Sequence, residues 1–234
     1  MIEPAALAKL REHLPENFSD IFMINRAMTH RSYMNENKDV LEDNERLEFL
    51  GDSVLNFVVA EWLYNSFPEK DEGFLTKVRA ALVHTRQLAL FARKIHLGPA
   101  LLVGRGEEIA GGRDRDPILC DAFEALVAVI YLDSGMEAVK EFIIPLIESE
   151  SEEILRSHLE EDVKSRLQEW AQSKGYPAPS YVLVGESGPD HAKHFVVEAI
   201  INHKKIARGS GTSKQLAEKN AALNSIKRLG LQQS

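Results

Sequence analysis

The chain has 234 residues, a formal net charge of −8 and a single cysteine. This length suits one large domain or two small ones, and an apolar fraction of 44% excludes a largely disordered chain. One cysteine excludes an intrachain disulfide and favours a reducing compartment, and the first residues lack the pattern of a signal peptide. No stretch approaches the roughly 18 apolar residues of a membrane span. We therefore expect a globular, cytoplasmic protein with no membrane partner.

The acidic balance alone argues mildly against a nucleic-acid partner, but the charge is unevenly distributed. Residues 1–160 carry 17 basic against 29 acidic side chains, a net charge of −12. Residues 161–234 carry 11 against 7, a net charge of +4, and the two parts together make −8. This asymmetry predicts two modules with different electrostatic roles.

Residues 1–157 have the apolar spacing of successive helices and predict an all-α domain. Asn44 is a candidate N-cap for the first long helix. Gly, Pro and Asp cluster over 104–117, which predicts a loop. The helical pattern is found over 44–66, 73–95, 117–133 and 136–157.

A short polar linker is expected at 158–161, before a module of different character at 162–230. Runs rich in β-branched and aromatic residues there are separated by Gly and Pro, which predicts strands joined by turns. The order predicts a small α+β domain of the α-β-β-β-α type. Its elements are a helix at 163–173, strands at 181–186, 194–201 and 204–208, and a helix at 213–229.

Five carboxylates of the first module fall on two of its predicted helices. Glu45, Glu48 and Asp52 are spaced i, i+3 and i+7, so they lie within roughly 60° on one helix face. Asp121 and Glu124 form an i, i+3 pair inside an otherwise apolar helix, where unpartnered carboxylates are rare. Two such faces brought together would make an oxygen-rich site suited to Mg²⁺ or Mn²⁺. The alternative is a solvated acidic face.

The run NERLEFLGDSVL, residues 44–55, resembles the signature of ribonuclease III, a double-strand-specific endoribonuclease. THRSY at 29–33, the segment 104–135 and the carboxy-terminal unit extend this resemblance over nearly the whole chain, in the family's order. The resemblance implies an all-helical endonuclease domain that works as a homodimer, with two active sites facing one groove. It further implies Mg²⁺-dependent cleavage of ribosomal precursors, hairpins and other structured transcripts, leaving 5′-phosphate and 3′-hydroxyl ends with short 3′ overhangs.

The resemblance also implies roles for single carboxylates. Glu48, Asp121 and Glu124 match metal ligands, and Asp52 matches a catalytic residue that acts through a metal-bound water. Glu124 is both ligand and catalytic residue. Mg²⁺ is the implied cofactor, and Mn²⁺ is expected to substitute for it.

Other positions of the first module are assigned in the same way. Glu45 and Glu72 match acidic positions near the cleft that help to engage RNA, and Phe49 matches a dimer-interface position whose side chain enters a pocket of the other subunit. His30 has two open interpretations, a catalytic base or a structural histidine. Cys120 is interpreted as a core thiol.

The glycine-rich segment of the first module carries three arginines whose role the sequence leaves open. A phosphate contact and a solvated loop are equally compatible with the pattern. These residues are Arg105, Arg113 and Arg115.

Residues 162–230 resemble the double-stranded RNA-binding domain, through GPDHAKHF at 188–195 and GSGTSKQLAEKNAA at 209–222. Independently, Lys214 begins the last helix, where the macrodipole disfavours a cation unless an anion docks there. The family often has a second lysine at this helix start, and here that position is Gln215. The implied RNA contacts are Gln168 in the first helix, His191 and Lys193 after the first strand, and Ser213 and Lys214 at the last helix.

Two other functions fit parts of the pattern. A non-catalytic double-stranded RNA-binding protein would keep the fold but lose the carboxylates, and all four catalytic carboxylates are present. A metal-dependent phosphohydrolase of small molecules would not need the RNA-binding unit. The sequence therefore favours the endoribonuclease.

Overall fold

The computed structural model describes residues 1–16, 18–189 and 193–231, and for 152–153 and 155–162 it describes the backbone only. The chain divides into two units, Met1–Ile154 and Leu155–Ser234. Among the described residues, no helix is long and apolar enough to cross a membrane.

The first unit is helical, as its periodicity predicts. Phe91, Phe123 and Phe142 lie in its core, where each neighbouring pair of ring centroids is 5.9 Å apart. Short 3₁₀ turns occupy Gly98–Ala100 and Gly112–Asp114. The helices are α1 (Pro4–Arg11), α2 (Ile21–Ala27), α3 (Arg31–Glu36), α4 (Glu45–Ser66), α5 (Glu72–Leu82), α6 (Thr85–Lys94), α7 (Arg105–Ile109) and α8 (Asp116–Ser173), which continues into the second unit.

Two local predictions for this unit are wrong, and a third is confirmed in position but not in its side-chain contact. The single helix predicted over 73–95 is divided into α5 and α6. The backbone leaves helical geometry at Val83, and the next helix begins after His84, whose Nδ1 accepts the Gln87 N–H at 2.9 Å. The loop predicted over 104–117 contains α7. Asn44 stands at the N-cap position of α4, but its amide donates to the Ala27 carbonyl at 3.2 Å instead of capping.

The predicted interruption between 117–133 and 136–157 is confirmed at Gly135, where φ is +82° and the backbone is not helical. A positive φ costs glycine little because it has no Cβ. The expected linker residues 158–161 have helical backbone within α8. The boundary between the two modules stays a prediction.

The second unit has the predicted helix, strand and helix order. Strands β1 (Ser180–Ser187), β2 (His194–Ile201) and β3 (Lys204–Gly211) form an antiparallel sheet in the order β1-β2-β3. Helix α9 (Lys214–Arg228) packs on this sheet. A Cβ atom at Gly209 would lie 2.0 Å from the Ala221 nitrogen, so the absence of a side chain lets α9 approach β3. The structure therefore confirms an α-β-β-β-α unit.

Helices α4 and α8 are in close backbone contact at Gly51. A Cβ atom there would lie 1.8 Å from the carbonyl oxygen of Glu124, which belongs to the backbone of α8. Gly51 lies between Glu48 and Asp52, so this contact fixes the acidic faces of both helices relative to each other. The close packing of α4 on α8 therefore requires a glycine at position 51.

We expect Gly51→Ala to lower the free energy of unfolding by about 3 kcal/mol, because a methyl group cannot fit without separating the two helices. Urea denaturation of the full chain measures this. Gly106→Ala is the matched control, since a Cβ atom in α7 would meet nothing within 4 Å. Equal stability of Gly51→Ala and wild type would contradict the packing argument.

Candidate active site and RNA-binding surface

Helices α4 and α8 bring the predicted carboxylates together around one buried side chain. Glu124 is only 8% exposed, whereas Glu48 and Asp121 are half-buried. Asp52 and Glu45 are exposed at the edge of this group. Glu124 therefore lies at the buried end of the group, and Asp52 and Glu45 lie at its solvent-exposed end.

Burial and mutual repulsion raise the pKa values of three of these carboxyl groups. Burial, followed by the charges of Asp52, Glu48 and Asp121, raises the pKa of Glu124 to about 8. Burial and then Asp121 raise the pKa of Glu48. Burial is also the main cause of the raised pKa of Asp121, which His30 opposes. These side chains are thus close enough to resist carrying full negative charge together.

Such a group fits a hard divalent cation. Ligand atoms of Cys120, Asp121 and Glu124 lie within 4.8 Å of one another, and Glu48 and Asp52 face the same charges from α4. Carboxylate oxygens are the donors that Mg²⁺ and Mn²⁺ prefer. A cation would relieve the repulsion and favour loss of the Glu124 proton.

Two polar neighbours of this group were not anticipated from the sequence. Asn56 donates its amide to Oδ1 of Asp52 at 2.8 Å, and Arg31 pairs with Glu45 at 3.3 Å. The i, i+4 spacing of Asp52 and Asn56 is a helical contact that the sequence contains. The Arg31 contact joins α3 to α4 and has no local signal.

The contacts of His30 favour its interpretation as a structural histidine. Its Nδ1 accepts the Ser32 N–H at 3.3 Å and caps α3, and it lies 2.8 Å from Ser32 Oγ. Ser32 Oγ in turn accepts the Gly104 N–H at 2.9 Å. The histidine thus helps to join the THRSY segment to the segment before α7.

The loop arginines are mostly bound within the protein. Arg113 donates to the Pro99 carbonyl at 3.1 Å and pairs with Glu108 at 2.5 Å. Arg115 pairs with Glu107 at 2.5 Å. For Arg113 the solvated-loop interpretation is wrong, because the Arg113 side chain binds the 3₁₀ turn Gly98–Ala100 through the Pro99 carbonyl.

Glu72 and Phe49 lie elsewhere on the surface of the first unit. Glu72 is exposed in the first turn of α5 and lines a cavity of about 510 Å³ between α4 and α5. Phe57 and Tyr64 of α4 line the same cavity. Phe49 is 79% exposed on the surface of α4.

Most of the expected RNA contacts lie exposed on the second unit. Ser213 caps α9 by accepting the Leu216 N–H at 3.1 Å, and Lys214 follows it with its Nζ 5.9 Å from the Phe195 ring. Gln168 is exposed on α8. Lys193 pairs with Glu186 at 3.1 Å. His191 lies outside the described residues.

The two units match two known families. The family described as Ribonuclease-III-like matches residues 20–150, and the double-stranded RNA binding motif matches residues 163–229. A "Ribonuclease 3" of Caldanaerobacter subterraneus is 45% identical, over 96% of this chain and 99% of its own length. A "Ribonuclease 3" of Enterococcus faecalis is 44% identical, over 94% of this chain and 95% of its own length.

A solved structure agrees with these matches. The nuclease domain of ribonuclease III from Campylobacter jejuni superposes with a TM-score of 0.57 at 40% identity, over 61% of this chain and 96% of that one. That domain is described as structurally flexible in a region involved in dimer formation. Together with the two family matches, these relatives show that the chain belongs to the ribonuclease III family of endoribonucleases, which act on double-stranded RNA.

Proposed function

We propose that the chain hydrolyses phosphodiester bonds of double-stranded RNA with Mg²⁺, held by Glu48, Asp121 and Glu124. Asp52 acts through a water molecule, and Mn²⁺ substitutes for Mg²⁺. The observation that carries this proposal is the convergence of α4 and α8 carboxylates around the buried Glu124.

The products follow from which bond breaks. Water loses a proton as its oxygen bonds to phosphorus, the bond between phosphorus and the 3′ oxygen breaks, and the 3′ oxygen takes up a proton and leaves as a hydroxyl, so the phosphate stays on the 5′ end. A divalent cation at this site would lower the pKa of water and stabilise the charge that develops on the phosphate. The carboxylates would hold the cation, and Asn56 orients Asp52. Without the cation their charge repels the phosphate, so cleavage requires metal.

We expect Glu124→Gln to abolish cleavage of duplex RNA in Mg²⁺, because it removes the buried ligand charge while keeping the size of the side chain. Binding of duplex RNA should stay close to wild type, since the RNA-binding unit is unchanged. Single-turnover cleavage and a filter-binding titration measure the two effects. Glu141→Gln makes the same change at an exposed position of α8 and should cleave normally. Near wild-type turnover of Glu124→Gln would overturn the assignment.

For the RNA-binding unit we propose contacts by Gln168, His191, Lys193, Ser213 and Lys214. In the endonuclease unit we propose that Glu45, at the edge of the carboxylate group, and Glu72, in the first turn of α5, also engage RNA. Domains of this kind read the shape and 2′-hydroxyls of an A-form duplex rather than its sequence. Structured transcripts such as ribosomal precursors and hairpins are therefore the proposed substrates. A single buried cysteine suits a reducing compartment, and we propose the cytoplasm.

We expect Lys214→Ala to weaken duplex RNA binding and to reduce the slope of log K against log salt by about one, because one phosphate contact is lost. Titrations at several salt concentrations measure this slope. Lys227→Ala removes an exposed lysine from the opposite end of α9 and should leave the slope unchanged. An unchanged slope in Lys214→Ala would remove this residue from the interface.

We propose that the endonuclease unit forms a homodimer through α4. Phe49, Phe57 and Tyr64 are 79%, 53% and 72% exposed and fall within about 80° on one face of this helix. If α4 pairs antiparallel with its copy about a twofold axis near Phe57, Phe49 meets the Tyr64 end of the second helix. That end borders the cavity between α4 and α5, which is mainly apolar with charged side chains at its edge and is large enough for a phenyl ring. Two sites across such a dimer account for short 3′ overhangs.

We expect the wild-type chain to sediment as a dimer and Phe49→Asp as a monomer, because a carboxylate would be desolvated in the apolar cavity. Analytical ultracentrifugation measures this. Ile109→Asp is the matched control, since Ile109 is 80% exposed on α7. A stable Phe49→Asp dimer would contradict the proposed interface.

A further inference from the structure

Cys120 is a buried side chain that the proposed reaction does not use. It is 6% exposed and directly precedes Asp121. Its Sγ lies 3.8 Å from Oε1 of Glu124, one turn further along α8. The side chain of Thr85, the first residue of α6, also lies within hydrogen-bonding reach of the thiol. The thiol therefore lies between a polar group of α6 and the buried carboxylate.

The direction of these hydrogen bonds follows from ordinary thiol chemistry. A cysteine thiol of normal pKa is mostly protonated at neutral pH, so its S–H can donate. The carboxylate of Glu124 accepts, and the hydroxyl of Thr85 donates to the sulfur. Burial, followed by the charges of Glu124 and Asp121, raises the pKa of the thiol further. A protonated thiol can therefore donate to Glu124 while its sulfur accepts from Thr85.

We propose that Cys120 is a positioning residue that fixes the carboxylate of Glu124 for metal binding. Its S–H occupies one oxygen of Glu124 and leaves the other to face the cation. Hydrogen bonds from outside the ligand set orient metal-binding carboxylates, and their loss typically weakens metal affinity about ten-fold or more. The inference rests on the proposed role of Glu124 as a metal ligand.

The contacts of α6 support this arrangement. His84 caps the helix by accepting the Gln87 N–H at 2.9 Å, and Phe91 of the same helix packs on Phe123 of α8. Thr85 is thus held at the capped end of a helix that packs on α8. The alternative is that Cys120 only fills space, since a buried cysteine also behaves as a small apolar side chain.

The positioning role and the space-filling role of Cys120 predict different effects of a serine at this position. We expect Cys120→Ala to weaken Mn²⁺ binding by the full chain about ten-fold, because the donor to Glu124 is lost. Cys120→Ser keeps a donor and should restore most of the affinity. Mn²⁺ titration followed by electron paramagnetic resonance, without RNA, measures the dissociation constant. Val129→Ala, a buried truncation on α8 away from the carboxylates, should lower the melting temperature but leave Mn²⁺ affinity unchanged.

Equal loss of Mn²⁺ affinity in the alanine and serine variants would overturn the proposal in favour of packing, and wild-type affinity in Cys120→Ala would overturn it outright. Glu124→Gln separates this proposal from the proposed function. If Glu124→Gln loses both Mn²⁺ binding and cleavage while Cys120→Ala binds normally, only the positioning role fails. If Glu124→Gln keeps both, the metal site itself is wrongly assigned.

Discussion

The close approach of two helix backbones at Gly51 is the constraint on which the catalytic unit depends. α4 rests against the carbonyl of Glu124 because residue 51 has no side chain. The carboxylates flanking Gly51 are thereby held opposite the carboxylates of α8. Like charges would otherwise push these faces apart, so apolar packing elsewhere on the two helices must offset the repulsion. The acidic cluster is stable because the core of the first unit fixes it.

The surrounding polar groups divide the cluster into distinct environments. Asp52 is exposed and hydrogen-bonded by Asn56, whereas Glu124 is buried beside the Cys120 thiol. Desolvation makes the buried carboxyl the harder one to ionise, which is why its pKa reaches about 8. A bound cation would reverse this preference, so that metal binding and loss of a proton would be coupled at one side chain.

The net charge of −8 is the sum of an acidic first unit and a basic second unit. Part of the acidity of the first unit comes from the carboxylates proposed to hold metal, and the second unit carries basic residues suited to a phosphate backbone. A single charge for the whole chain hides this and would argue against RNA. Its distribution along the chain, together with a few carboxylates, agrees with the family to which the chain belongs.

Local sequence patterns determined the helical and α-β-β-β-α units, the helix faces of Glu48 and Asp52, and the interruption at Gly135, because periodicity and glycine act over a few residues. The meeting of α4 with α8, the approach of Thr85 to Cys120, and the pairing of Arg31 with Glu45 were decided only by tertiary structure. The same is true of Asn44, which serves a distant carbonyl rather than its own helix. Such contacts join residues far apart in the chain, and no spacing along the sequence encodes the distance between them.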